Sequence, residues 1–153
     1  MLIKTVIAVL AAVVSTFSVA SDHLYYMTQK GSMACLARAM YEEANTQPYV
    51  GRKAVVEVIL NRASSSGKHV CDIIKERSQF SWVSQTTNVY RLTDSKSSEK
   101  DVIRIANELS KGNKVLDDSY KFFYAKALAN PSWAGKMVCK DIHEQTFCKL
   151  KGN

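Results

Sequence analysis

The chain has no internal repeat, no CxxC pair, only three histidines and no run of five or more basic residues. Without a repeat it reads as one unit rather than an array. Zinc is disfavoured, because Cys139, His143 and Cys148 would have to serve alone. Nucleic acid ranks low among its partners, since no basic run concentrates charge for a phosphate backbone. A long membrane span is also lacking. The apolar run "TVIAVLAAVV" follows Lys4 and is short for a full crossing. Ser18 and Ala20, two positions apart, supply the small residues of a signal-peptidase site. The expectation is an exported chain cut after Ala20, touching the membrane only through residues 1–20 before cleavage. The alternative keeps that segment as a membrane helix.

What is present is a basic chain with a net charge of +7. The leader carries one charge, Lys4, so the remainder is still strongly basic. Its natural targets are anionic: envelope polymers, membrane surfaces and, lower in rank, nucleic acid. All four cysteines, Cys35, Cys71, Cys139 and Cys148, lie beyond the leader, as expected of paired thiols in an exported protein. Of three possible pairings, Cys35 with Cys71 and Cys139 with Cys148 is expected. The second closes a short loop between two extended segments.

The organisation expected is a leader at 1–20, a polar lead-in at 21–31 and a single domain at 32–153. A helix is expected from Ser32, its N-cap, to Asn45, and a second from Pro48 to Ser64. The second carries a broad apolar face through Ala54, Val55, Val58 and Ile59. Residues 71–76 read as a short helical turn. "SQTTNVYRLTDSKSS" reads as a polar surface loop. A helix then starts at Ser97 or Ser98, with Val102, Ile105, Ala106 and Leu109 at helical spacing, and stops at Gly112. "YKFFYA" and the end of the chain read as strands. The class is α+β, mainly helical, with a small antiparallel sheet.

Two adjacent glutamates close the first helix. A helix turns about 100° per residue, so Glu43 shares the side of Leu36, Ala39 and Met40, the apolar stripe. Glu42 lies on the polar side, four residues after Arg38. A carboxyl at the apolar edge loses hydration, and its pKa rises toward what a general acid needs. Glu43 is therefore the candidate acid, against the simpler reading of a glutamate at the rim of the core.

The stretch "CLARAMYEEANTQPYVGRKAVVEVILNR" resembles the opening of the SleB/CwlJ-type cell-wall hydrolases, whose pattern is roughly CLA-A-YxEARGEPxxGQxAVAxVVLNR. The resemblance continues through "VCDIIKERSQFSW" and "FFYAKALANPSWAGKM". It implies a fold like that of lysozyme and lytic transglycosylases, and a peptidoglycan glycan strand as substrate. The YxEA motif falls on Tyr41, Glu42, Glu43 and Ala44, so Glu43 takes the catalytic role. Gln79, Trp82 and Tyr124 are expected as substrate contacts. Asn61 and Arg62, in the family's LNR, are expected to secure the helix end, and Glu57 to be structural. The chain departs from the pattern at Gln47, where the family has a second carboxylate, and at Gln145 and Cys148, where it has His and Tyr. His143 inherits no role.

No second carboxylate stands out as a nucleophile, with Asp72 and Asp94 as possible partners. A lytic transglycosylase needs none, because one glutamate serves as acid and then as base on the muramyl 6-hydroxyl. The expectation is a monomeric, cofactor-free enzyme at the cell wall, in the periplasm or outside the cell. The rivals are a non-catalytic peptidoglycan-binding or inhibitor protein, and a phage lysin that keeps its N-terminal segment.

Overall fold

The structure is a computed structural model, and it describes residues 22–76, 80, 82–83 and 96–152. The leader, Gln79, Asp94 and most of the Ser/Thr-rich loop lie outside the described residues. Helix α1 covers residues 22–28. It is followed by α2 (Ser32–Ala44), α3 (Tyr49–Ser66), α4 (Val70–Lys75) and α5 (Lys96–Ser110). Strands β1 (Phe122–Ala125), β2 (Met137–Ile142) and β3 (Gln145–Leu150) form an antiparallel sheet in the order β1-β3-β2. Among the described residues no helix is long and apolar enough to cross a membrane.

The centre of the molecule is α3. Its residues from Ala54 to Leu60 are all buried, so it has no solvent face along that stretch. α2, α4 and α5 pack around it, and the sheet closes one end. Such enclosure demands partners for the polar residues it carries. Buried Glu57 accepts the backbone N–H groups of Val115 (3.0 Å) and Leu116 (2.7 Å). Lys53 reaches Glu108 at 2.7 Å and the Asn113 carbonyl at 2.7 Å. Asn61 donates to the carbonyls of Asp117 and Tyr120 and meets the His23 ring at 2.9 Å. Glu57 and Asn61 thus hold the loop that leads from α5 to the sheet.

Three local readings are corrected. The stretch read as a polar lead-in is α1, and it buries His23 and Met27 against the core. Its seven residues include Leu24, Tyr25, Tyr26 and Met27, and His23 and Met27, four apart on one face, fix it with Tyr26 packed beside them. The N-cap of α2 is Gly31, not Ser32, because the tight turn from α1 takes residue 31 to a φ of 85°, which glycine adopts without penalty. α3 runs through the three serines to Ser66 and ends at Gly67, whose φ is 70°.

The cysteines are joined as Cys35–Cys71 and Cys139–Cys148. The first ties α2 to α4. The second joins directly opposed residues of β2 and β3.

Candidate active site

Glu43 sits in the last turn of α2, at the end of the stripe formed by buried Leu36, Ala39 and Met40. The helix stops one residue later, where the chain must turn into Pro48, whose extended ψ of 157° opens α3. Glu43 is half-buried. Glu42 beside it is exposed and pairs with Arg38 at 2.5 Å on the outer side. The separation of the two glutamates that helical spacing implied is present.

Burial pushes the Glu43 carboxyl above its ordinary pKa, and the nearby charge of Glu42 adds to the rise. Two groups oppose it. The Trp82 indole N–H favours the charged carboxylate, although Nε1 stays outside regular hydrogen-bond geometry. Arg62 contributes its positive charge from α3. Arg62 is itself fixed by donating from Nε to the Lys121 carbonyl at 2.6 Å and lies 5.9 Å over the Phe80 ring. A carboxyl in this setting holds its proton to a higher pH than an ordinary glutamate does, and once the proton has left, an indole N–H and a guanidinium support the anion. The arrangement can act as an acid and then as a base.

Trp82 is buried, with the Arg38 guanidinium 5.5 Å from its ring centre. It begins an aromatic row that continues through Phe80 (6.2 Å), Phe123 (6.2 Å) and Phe147 (5.8 Å) into the sheet. The row connects the surroundings of Glu43 to the face of the sheet that meets the core.

At the end of α2 two glutamines link the helix to the β2–β3 turn. Gln145 Nε2 donates to the carbonyl of Glu43 at 2.9 Å. In the other direction, the Glu144 backbone N–H donates to Gln47 Oε1 at 3.2 Å.

The remaining sequence candidates fall as follows. Tyr124 lies on the face of the sheet opposite Gln145, and its ring meets Trp133 edge-on at 5.7 Å. Asp72 is exposed on α4 and pairs with Lys75 at 3.3 Å, which makes it a poor partner for Glu43. Gln79 and Asp94 are outside the described residues. Glu57 is occupied with backbone N–H groups. Asn61 and Arg62 do secure the end of α3, but Arg62 also reaches Glu43 electrostatically. That second role, and the bond from Gln145, had no local signal in the sequence. A polar recess lined by Tyr41, Asn45 and the ion-paired Arg52 and Asp101 belongs to the other side of α2. Tyr41 and Asn45 stand two residues either side of Glu43, about 200° around the helix. Among the described residues no group of three or more His, Cys, Asp or Glu is placed to hold a metal.

A family model described as Cell Wall Hydrolase matches residues 46–148. The matched stretch begins after Glu43 and takes in Gln47, Arg62, Trp82 and Gln145. A solved structure, the catalytic domain of the germination-specific lytic transglycosylase SleB from Bacillus anthracis, is 27% identical with a TM-score of 0.65. The match covers 79% of this chain and 96% of that one. No curated protein matches the chain.

Proposed function

The chain belongs to the cell wall hydrolase family, and from that premise we propose that it cleaves the glycan strands of peptidoglycan as a lytic transglycosylase, with Glu43 as acid and base. The observation that carries the assignment is the half-buried Glu43 carboxyl, raised by burial and flanked by Trp82 and Arg62. The likeness to the catalytic domain of SleB, itself a lytic transglycosylase, supports the reaction type.

In the proposed reaction the protonated Glu43 gives its proton to the glycosidic oxygen as the C1–O bond breaks. The sugar carries the positive charge of an oxocarbenium-like centre. The Glu43 carboxylate then takes the proton of the same sugar's 6-hydroxyl, whose oxygen bonds to C1 and closes a 1,6-anhydro ring. Glu43 ends protonated, as it began, and no water is consumed. One carboxyl suffices. Trp82 borders the acid and forms the wall of the subsite at the cleaved bond. Tyr124 is an outer contact, and Gln79 a further one. The protein is exported and acts at the wall as a monomer. The two disulfides accord with an oxidising compartment.

Mass spectrometry of muropeptides released from purified walls tests this. The expected products carry anhydro ends, and Glu43→Gln should lower their release by about 10²- to 10⁴-fold, the usual worth of general acid catalysis. Reducing ends would replace transglycosylation by hydrolysis. Binding to walls with no cut would favour the non-catalytic rival. Full activity in Glu43→Gln would remove Glu43 from the mechanism.

A further inference from the structure

We propose that Gln145 is a positioning residue for Glu43, holding the peptide of the acid itself from across the molecule. The proposal rests on the reading of Glu43 as the acid. The last carbonyls of a helix have no partner within it and must find one elsewhere. At the end of α2, Asn45 N–H takes the Tyr41 carbonyl and Gln47 N–H takes that of Ala44. The Glu43 carbonyl is met by Gln145 Nε2 at 2.9 Å.

The chemistry fixes which end of the amide faces Glu43. A carbonyl only accepts, so the NH₂ group must point toward it. Gln145 is a firm anchor for this bond. It opens the middle strand of the sheet, in register with Ala125 on one side and Ile142 on the other, and only 2% of its surface is exposed. Its Oε1 is buried without a partner among the described residues, so burying the residue here is costly, and the bond to Glu43 is what it makes in return.

Gln47 reciprocates. Its Oε1 accepts from the backbone N–H of Glu144, the neighbour of Gln145. Gln47 is held in turn by Arg52, whose Nη1 donates to its carbonyl and whose Nε and Nη2 bind Asp101 on α5. Gly51 completes the fit, since a Cβ there would stand 3.2 Å from the Gln47 Cβ. The acid's turn is thus bound to the hairpin by two bonds of opposite sense, and through Gln47 to α3 and α5. A displacement of the carboxyl by about 1 Å costs on the order of 10²-fold in rate, so a bond this close to the acid bears on turnover.

Steady-state cleavage of soluble glycan oligomers prepared from peptidoglycan tests the proposal on the full chain. Gln145→Met keeps length and removes the donor. It should lower kcat by roughly 10- to 100-fold with KM within about twofold of wild type. Gln145→His, whose ring Nε2–H can donate in place of the amide, should recover most of that loss. Gln47→Met should lower kcat in the same manner but less, and the double variant should fall short of the product of the two losses. Thermal unfolding of each variant separates misplacement from misfolding. A folded Gln145→Met enzyme with wild-type kcat would overturn the proposal, as would a loss confined to KM. Failure of the histidine to restore a folded variant would also overturn it. If Glu43→Gln is fully active, the acid assignment falls first and the positioning role with it. If Glu43→Gln is inactive and Gln145→Met is not, the positioning role alone is wrong.

Discussion

The surroundings of Glu43, the proposed acid, make a directional prediction about pH. A general acid works in its protonated form, so activity should fall as pH rises through the Glu43 pKa. Burial raises that pKa, Glu42 raises it further, and Trp82 and Arg62 lower it. Removing the Trp82 N–H with Trp82→Phe should therefore move the alkaline limb of the kcat profile to higher pH. Glu42→Gln removes a neighbouring negative charge and should move it lower, with turnover at the optimum within a few-fold of wild type. Shifts in the same direction for both would show that the limb reports another group. Much of this was legible in the sequence, because Leu36, Ala39 and Met40 share one side of a helix with Glu43, and three- and four-residue spacing is a local property. Arg62 and Gln145 were not. Each reaches Glu43 through the tertiary fold, and an arginine or glutamine at those positions carries no periodic signal.

Among the elements, those with a period were readable and those fixed by burial were not. α2, α5 and the strands follow from spacing and aromatic content. α3 had a broad apolar face in the sequence, but its enclosure shows only in the packing, where Lys53, Glu57 and Asn61 are buried as well. α1 carried no clear signal because it is only seven residues long, too short for a helical period to show, with His23 and Met27 buried and Tyr26 packed against the core. The disulfides make the element-scale prediction. Cys35 and Cys71 are 36 residues apart, and closing such a loop is worth about 4 kcal/mol in the chain-entropy picture. Cys139 and Cys148 are 9 apart, worth about 2.5 kcal/mol. Replacing Cys35 and Cys71 together by serine should lower the unfolding midpoint more than replacing Cys139 and Cys148. Peptide mapping without reduction should recover both pairs. An equal or inverted order of midpoints would show that packing, not loop closure, decides.

For the molecule as a whole, His23 and the buried glutamates pull stability in opposite directions with pH. Burial holds the His23 pKa below 6.5, with the Lys114 charge adding to that, so the unfolded chain binds the proton first. Its contribution is complete above that pH and is lost as pH falls through it. Glu43 and Glu57 are raised, so acid relieves their strain instead. Denaturant unfolding at pH 7.5 and 5.5 should therefore show wild type losing more than His23→Gln, by up to about 1.4 kcal/mol per pH unit. Equal losses would remove His23 as the source. The bond between Gln145 and Glu43 spans 102 residues of chain. Closing so long a loop is slow, and nothing on the N-terminal side can do it early. A ribosome or translocon that has delivered α2 has delivered the blade but not its hilt. On the proposed assignment, the acid comes to its full setting only after the C-terminal hairpin has arrived and docked, so an enzyme that cuts the wall of a cell would be kept blunt while it is still being made.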